Sequence, residues 1–406
     1  MKCRHCFKKL KHTFLDLGFA PPSNAYLNIK DLNTPELYFP LRIKVCNNCW
    51  LVQTDDYTDA KNLFTNEYAY FSSISSSWLT HAKDYASKII DALKLDNKSY
   101  VIEIASNDGY LLKNFNEADI PCLGIEPTKN TAIAAENLGI PVIKKFFGET
   151  LGKKLASKKK ADLIIANNVY AHVPDINDFT KGLKAVLKPN GVITLEFPHL
   201  MSLIEQTLFD TIYHEHFSYL SLNVVKRIFN VTGLRIWHVE KLETHGGSLR
   251  VYGCHKNDKR VTQKSVKRVL NEEIKKGVKK LKTYLNFNIP VEKIKYDLIS
   301  FLIEKKRSGN KVVAFGAAAK GNTLLNYAGV TKDLIPSVYD GAKSKQGKFM
   351  PGSHIPILPS KDIHKARPDY VLILPWNIAE EIKLQNISLS RTGTKFVTAV
   401  PNLKIL

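Results

Sequence analysis

Residues 101–109 read VIEIASNDG, and this stretch decides the fold of the chain. The apolar run up to Ala105 predicts a buried strand, and Ser-Asn-Asp-Gly is typical of a tight turn that leads into a helix. Ala105 and Gly109 are small, so the backbone of this turn can approach a ligand closely. A dinucleotide-binding loop requires G-x-G-x-x-G, and the sequence departs from that pattern.

The segments around this turn alternate between apolar strands and helical patterns. That alternation predicts a parallel sheet with helices on both faces. Two later strands, Leu234–Leu242 and Ser248–His255, predict an antiparallel hairpin after the sheet. Parallel strands followed by a terminal hairpin are the layout of a class I S-adenosylmethionine-dependent methyltransferase. The predicted parallel strands are residues 100–105, 122–126, 142–146, 162–166 and 192–196.

The turn at residues 105–109 resembles the E-x-G-x-x-x-G loop of those enzymes, with alanine where the first glycine is usual. Glu103 can accept a hydrogen bond from the ammonium group of the cofactor, directly or through water. Glu126, at the end of the next strand, can accept hydrogen bonds from both ribose hydroxyls. Phe146 and Phe147 end the third strand and can flank adenine. Two asparagines follow the fourth strand, at the edge of the sheet where ligands bind. The predicted cofactor residues are Glu103, Ala105, Ser106, Asn107, Gly109, Glu126, Phe147, Asn167 and Asn168.

Two C-x-x-C pairs lie in the first fifty residues, and they predict a metal site. In a chain without an export signal, such pairs indicate a tetrahedral zinc site more often than disulfides. Four protein ligands leave no open position for water, so we expect a structural zinc. The alternative is a set of reduced thiols. The predicted ligands are Cys3, Cys6, Cys46 and Cys49.

The chain has 406 residues, and 59 Lys and Arg against 38 Asp and Glu give a formal net charge of +21. This length predicts about two or three domains. The charge favours anionic partners, namely nucleic acid, a membrane surface or phosphorylated small molecules, unless it is spread over solvated faces. No apolar run reaches the roughly 20 residues of a membrane span, and the N-terminus lacks the apolar region of a secretory signal. We therefore expect a cytoplasmic protein with no membrane partner.

Residues 213–216 read YHEH and place two histidines around a carboxylate. The spacing differs from the H-E-x-x-H of zinc proteases. Proton transfer is the favoured role, because imidazole titrates near neutral pH and the carboxylate can orient it. A second metal site and a buried structural turn are the alternatives. The hairpin turn adds polar groups that we expect in the same cleft, His245, Ser248 and Arg250.

A second strand-to-helix junction follows near the C-terminus, where residues 311–316 read KVVAFG and residues 317–323 read AAAKGNT. Small residues at such a junction let backbone N–H groups and the helix dipole meet a diphosphate, and a lysine adds charge. The alternatives are a tightly packed turn without a ligand and a site for NAD, which the missing glycine fingerprint disfavours. The predicted binding residues are Lys320, Gly321 and Asn322.

Several motifs occur in one order along the whole chain. They are the C-x-x-C pairs, PPSNAYL at 21–27, EYAYFSS at 67–73, AHVPD at 171–175, YHEH at 213–216 and HGGSLR at 245–250. In these motifs the chain resembles the sugar C-methyltransferases that act on nucleotide-linked deoxysugars, in particular the C-3′ methyltransferases of dTDP-4-keto-6-deoxysugars.

The resemblance implies an α/β protein of three domains. These are an N-terminal zinc domain at residues 1–75, a central methyltransferase domain at 76–258, and a C-terminal Rossmann-like domain at 259–406 that includes a linking helix. The last domain is interpreted as a lid over a dTDP-linked nucleotide sugar, and we expect a monomer. The alternative is a basic zinc-containing protein that binds nucleic acid, or an RNA methyltransferase.

The resemblance also implies the reaction. A base removes the acidic proton beside a ketone, the resulting enolate takes the methyl group of S-adenosylmethionine, and a carboxylate orients the base. The implied base is His216, the implied partners are Glu215, Tyr213 and His172, and the implied sugar contacts include His214 with Tyr68 or Tyr70.

Overall fold

The computed structural model of this chain describes residues 1–55, 57 and 71–406. Its strands form three sheets, and helices cover the two parallel ones. Strands β1–β17 are His12–Ala20, Phe39–Val45, Val52–Thr54, Val101–Ile104, Cys122–Ile125, Val142–Ile143, Ala161–Asn167, Leu187–Pro198, Ser218–Tyr219, Leu234–Leu242, Ser248–His255, Val312–Phe315, Val338–Asp340, Ile357–Pro359, Tyr370–Ile373, Lys395–Thr398 and Lys404–Ile405. Helices α1–α14 are Ser76–Leu93, Leu112–Asn116, Lys129–Glu136, Glu149–Ala156, Ile176–Val186, Leu200–Glu205, Leu222–Thr232, Lys264–Lys275, Leu281–Leu285, Asn288–Arg307, Ala319–Ala328, Ile363–Ala366, Ala379–Gln385 and Ile387–Arg391.

The central sheet has the order β6-β5-β4-β7-β8-β11-β10. Neighbouring strands from β6 to β8 run parallel, and β11 lies antiparallel between β8 and β10. The hairpin predicted from the sequence is confirmed at both of its strands. The third strand is shorter than predicted, because residues 144–146 are exposed and lie outside the pairing with β5, which includes only Val142 and Ile143. The predicted class I methyltransferase fold is confirmed.

Helix α7 shows how local sequence sets the ends of an element. Ser221 accepts a hydrogen bond from the backbone N–H of Val224 and caps the first turn. Gly233 ends the helix at a φ of 82°, the left-handed conformation that glycine adopts without a steric penalty. The helix therefore returns the chain directly into β10, at the edge of the sheet.

The N-terminal sheet is antiparallel and has the order β1-β2-β3-β9. Its last strand, β9, comes from the segment that follows the YHEH motif, far along the chain. The apolar face of β1 packs against the C-terminal helices, where the rings of Phe14 and Phe287 stack 4.7 Å apart. The cysteine turns at the other end pack against the apolar core of the central sheet. The N-terminal sheet thus joins the other two units.

The C-terminal sheet has the order β14-β13-β12-β15-β16-β17, and only its last strand runs antiparallel. The second α/β unit predicted from the sequence is confirmed. Between the two parallel sheets, in chain order, lies the lysine-rich stretch 256–282, whose charge pattern predicts a helix that links two domains. Its first helix, α8, packs against β10 and α7 of the central unit. None of the helices in the described part of the chain is long and apolar enough to cross a bilayer.

One carboxylate of α8 is fully buried. Glu273 is 0% exposed, and it lies 2.8 Å from His199 Nε2. It also accepts hydrogen bonds from the backbone N–H groups of Leu222 and Asn223, at 2.6 and 2.8 Å. These two N–H groups belong to the first turn of α7, which has no partner for them inside the helix. Glu273 therefore connects the linking helix, α7 and the end of β8.

Glu273→Ala should lower the free energy of unfolding by about 3–5 kcal/mol, because it leaves buried polar groups without their partner. The matched control is Glu272→Ala, whose carboxylate pairs with Lys241 at the surface. An exposed pair of that kind contributes less than about 1 kcal/mol. Urea denaturation followed by circular dichroism measures both variants. Equal losses in the two variants would contradict the role assigned to the buried carboxylate.

Candidate active site

The four predicted zinc ligands come together. Their Sγ atoms all lie within 4.8 Å of one another, and the pairs Cys3–Cys49 and Cys6–Cys46 are 3.5 Å apart. Zinc–sulfur bonds of about 2.3 Å in a tetrahedron require sulfur atoms about 3.8 Å apart, so the cluster has the size of a zinc site. Hydrogen bonds among the cysteines lower the pKa of the Cys3 thiol to about 3 and raise that of Cys49 above its ordinary value, so without a metal the thiolate is held on Cys3 and shared protons lie on its neighbours.

A cavity of about 740 Å³ lies between the central sheet and the C-terminal unit. It is bounded by the turns after β4, β5 and β7, by the YHEH segment, by the hairpin turn and by the start of α11. Such a cleft at the carboxyl edge of a parallel sheet is typical of a small-molecule site. The residues predicted from the sequence that line it are Ala105, Asn107, Glu126, Phe146, Phe147, Asn167, Asn168, His172, Tyr213, Glu215, His216, His245 and Lys320.

Glu126 organises the turn after β4. Its carboxylate accepts the backbone N–H groups of Asn107 and Thr128 at 3.0 and 2.8 Å, and the Thr128 hydroxyl at 2.5 Å. Burial raises the pKa of this carboxyl group. Because a carboxylate offers about four lone-pair positions, an acceptor position remains for a ligand in the cavity.

The turn itself is held in an uncommon backbone conformation. Ala105 and Asn107 have φ angles of 59° and 50°, and Asn168, at the end of the neighbouring strand, has a φ of 53°. The left-handed region costs a residue with a Cβ atom about 1–2 kcal/mol. Ala105 therefore adopts a conformation that favours glycine, and this explains why glycine is usual at this position.

Several buried polar atoms around the cavity lack a hydrogen-bond partner among the described residues. They include Asn167 Oδ1, Asn168 Nδ2 and, beneath the turn, Glu103 Oε2. Burial, together with the charges of Asp108 and Glu126, raises the pKa of Glu103 well above its ordinary value. Unsatisfied buried groups of this kind are costly unless a ligand meets them. Their donors and acceptors fit an amino acid carboxylate, an ammonium group and ribose hydroxyls.

The two histidines on the opposite wall are anchored by carbonyl groups. His216 Nδ1 lies 2.8 Å from the carbonyl oxygen of Thr211, and His172 Nδ1 lies 2.8 Å from that of Glu215. A carbonyl only accepts, so each Nδ1 carries the proton and each neutral ring keeps its lone pair on Nε2. Burial lowers the pKa of His172 to about 4, and burial with the neighbouring His172 lowers that of His216 well below 6.5. Both rings are neutral at pH 7.

The groups around His216 differ in part from the prediction. Its ring lies 4.0 Å from that of Tyr213 and 4.6 Å from that of His172, centroid to centroid. The sequence suggested that Glu215 orients this histidine, but its Nδ1–H donates a hydrogen bond to the Thr211 carbonyl. The Glu215 carboxylate instead accepts a hydrogen bond of 2.7 Å from Asn24.

The C-terminal unit contributes positive charge to the cavity. Lys320, in the first turn of α11, lies 2.6 Å from Asn377 Oδ1 and 4.7 Å from the centre of the Trp376 ring. Burial lowers the pKa of its ammonium group. A second lysine, Lys345, donates to the Ala317 carbonyl at 2.8 Å and also lines the cavity.

The remaining predicted residues in the described part of the chain lie outside the cavity lining. Arg250 is buried, and its Nε donates to Glu196 at 2.6 Å. His214 Nε2 meets the Phe39 carbonyl, and the hydroxyl of Ser248 donates to Thr244. Tyr68 and Tyr70 lie outside the described residues. Buried behind the lining are also Ser106, Gly109, Gly321 and Asn322.

Among the cavity residues that escaped the sequence analysis are Asn24, Thr211 and Lys345. Asn24 stands in the quoted PPSN motif, which signalled a family but no role. Thr211 acts through its carbonyl, which any residue supplies. Lys345 lies in a loop without a recognisable pattern.

Comparison with known proteins places this geometry in a family. Three family models match in succession, "Putative zinc binding domain" at residues 3–64, "Methyltransferase domain" at 78–239 and "C-methyltransferase C-terminal domain" at 243–401. The C-methyltransferase NovU of Streptomyces niveus is 30% identical over 406 residues, which cover all of this chain and 96% of NovU. The chain belongs to the C-methyltransferase family. Its cofactor is S-adenosylmethionine, and its four-cysteine cluster is the zinc site of this C-methyltransferase.

Comparison with solved structures finds partial matches at low identity. The PH0226 protein of Pyrococcus horikoshii OT3 has a TM-score of 0.38 and 15% identity, covering 46% of this chain and 95% of that protein. Magnesium protoporphyrin IX methyltransferase of Synechocystis PCC 6803 has a TM-score of 0.36 and 11% identity, covering 50% of the C-methyltransferase and 100% of that protein.

Elemental analysis of the purified C-methyltransferase should find about one zinc per chain, as a four-thiolate site requires. The double variant Cys46→Ser/Cys49→Ser should lose this metal and unfold its N-terminal module, because metal binding supplies folding energy. Cys122→Ser, at a buried thiol of β5, is the control and should keep the zinc. Full zinc content in the double variant would contradict the assignment.

Glu126→Ala should weaken the binding of S-adenosylhomocysteine by about 1.5–3 kcal/mol for each charged hydrogen bond that is lost. The control is Glu136→Ala, whose carboxylate pairs at the surface with Lys144, 2.7 Å away. Titration calorimetry measures both affinities. An unchanged affinity in Glu126→Ala would remove this carboxylate from the cofactor site.

Proposed function

We propose that this C-methyltransferase methylates C-3 of a nucleotide-linked 4-keto-6-deoxysugar, of the dTDP-linked class that the sequence motifs indicate, after His216 removes the C-3 proton. The observation that carries the proposal is the neutral His216 ring, whose Nδ1 is held at 2.8 Å by the Thr211 carbonyl on the wall of the cavity. A ring anchored in this way presents the lone pair of Nε2 as a fixed proton acceptor.

The C–H bond beside a ketone is acidic, and its two electrons pass to an enolate when a base takes the proton. His216 Nε2 accepts that proton and becomes an imidazolium. When bound, S-adenosylmethionine supplies the electrophilic methyl group that the enolate carbon takes. The protein has to fix the base, the ketone and the methyl donor in one geometry and keep water out.

The enolate oxygen requires a hydrogen-bond donor or a positive charge. The sequence suggested Tyr213 and His172 for this role. Because Nδ1 of His172 donates to the Glu215 carbonyl, its neutral ring offers an acceptor at Nε2 and not a donor. We therefore assign to Tyr213 the role of hydrogen-bond donor to the enolate oxygen. The ring of Tyr213 lies 4.0 Å from that of His216, centroid to centroid.

The charge of the cavity wall that the C-terminal unit forms supports a nucleotide sugar as the substrate. Lys320 and Lys345 stand on the C-terminal side of the cavity, and Lys320 lies at the N-terminus of α11. A diphosphate there meets two cations and the positive end of a helix dipole. The motifs shared with sugar C-methyltransferases indicate the same substrate class.

His216→Asn should lower kcat on the nucleotide sugar by about 10²–10⁴-fold, because a general base acts in the transition state. Its affinity for S-adenosylhomocysteine should be retained. Wild-type protein with this product bound should exchange the substrate C-3 proton with deuterated solvent, measured by mass spectrometry, and His216→Asn should not. His214→Asn, two residues away and bonded to Phe39, is the matched control and should exchange. Exchange lost only in His214→Asn would reverse the assignment.

The dependence of the wild-type kcat on pH, on the acidic side of its plateau, tests the same base. His216 has to be neutral, and burial lowers its pKa below 6.5. The rate should therefore fall only when the pH drops through that lowered pKa, so kcat at pH 6.5 should still lie near its plateau. A midpoint above pH 6.5 would contradict His216 as the titrating base.

A further inference from the structure

Arg4 lies between two zinc ligands, Cys3 and Cys6, and its side chain reaches away from them. The residue is 8% exposed. Its Nη1 donates to the Pro174 carbonyl at 2.8 Å, and its Nη2 donates to the Thr54 carbonyl at 3.0 Å. The planar guanidinium group thus holds two separate backbone segments at once, which the single ammonium group of a lysine does not reproduce.

Both segments lead directly to the histidines of the active site. Pro174 follows His172 in the AHVPD turn and itself lines the cavity. The N–H of Thr54 donates to the Phe217 carbonyl at 3.2 Å, and Phe217 is the residue after His216. The guanidinium carbon of Arg4 also lies 5.3 Å from the centre of the Phe217 ring.

The cysteine turn fixes the backbone from which Arg4 extends. The N–H of Arg4 donates to Gln53 Oε1 at 2.9 Å, while Gln53 Nε2 donates to the Cys3 sulfur at 3.3 Å. On the other side, Asn177 Nδ2 donates to the carbonyls of Arg4 and His5 at 3.3 and 2.9 Å. Asn177 lies in the first turn of helix α5, which begins immediately after the AHVPD turn.

We propose that Arg4 is a positioning residue for catalysis, which fixes His172 and His216 relative to each other and so makes the zinc module part of the catalytic framework. The inference rests on the proposed function for its kinetic consequence only. A displacement of about 1 Å between reacting groups costs on the order of 10²-fold in rate, so holding two loops in register has a measurable effect.

The test uses the full-length, zinc-loaded chain as Arg4→Lys, with Arg4→Ala as a second variant. The matched control is Arg227→Ala. Arg227 also binds a cysteine turn, through a 2.8 Å hydrogen bond from its Nη1 to the Asn48 carbonyl, but it extends from α7. Arg4→Lys should lower kcat on the order of 10²-fold, with zinc content and KM for S-adenosylmethionine unchanged. Arg227→Ala should keep the wild-type kcat.

A spectroscopic measurement decides the proposal without a substrate. In protein labelled at histidine ¹³Cε1, the signals of His172 and His216 are assigned by loss in His172→Gln and His216→Asn. These two signals should shift or broaden in Arg4→Lys and stay in place in Arg227→Ala. Unchanged signals and kcat in Arg4→Lys would overturn the proposal. If the wild type leaves nucleotide sugars unmethylated, the proposed function fails, while the histidine signals still support or overturn the role of Arg4.

Discussion

The structure depends on the burial of one segment, residues 210–219, under all three sheets. Strand β9 lies in this segment and pairs with β3 of the N-terminal sheet. The C-terminal unit contacts the segment through a 2.8 Å hydrogen bond from the Thr323 hydroxyl to the Ile212 carbonyl. The indole of Trp376 donates to Asp210 at 2.7 Å. Because three units exclude water from this segment, its imidazoles stay neutral and its carbonyl anchors stay fixed. Desolvation therefore sets both the position and the charge of the groups proposed for catalysis.

The parts of the fold that the sequence predicted are those with local patterns. The hairpin of β10 and β11 was predicted at its observed bounds, since alternating apolar residues and a glycine-rich turn lie next to each other in the chain. The N-terminal sheet was not predicted, because β9 has two residues and its pairing depends on a partner distant in sequence. The predicted length of β6 was wrong. The apolar Phe146 suggested that the strand continues, but its side chain is exposed and the strand ends before it.

The same distinction between local patterns and distant partners applies to the residues of the active site. Ala105 and Glu126 line the cavity because a strand, its turn and the next strand form one short unit, whose ligand edge follows from topology. Arg250 was predicted to face the cleft, but its guanidinium group pairs with Glu196 on the neighbouring strand β8. Only the register between the two strands reveals that pair. The anchor of His216 is a main-chain carbonyl, and a carbonyl leaves no trace in the sequence.

The late position of β9 also constrains how the chain is made. Strands β1 to β3 leave the ribosome early, whereas the strand that covers the edge of β3 is completed only at Tyr219. At synthesis rates of roughly 5–20 residues per second, this edge waits roughly ten to thirty seconds for its partner. An open edge is a template for pairing with other chains. Nascent protein in this interval therefore exposes an unpaired strand edge that the folded protein covers.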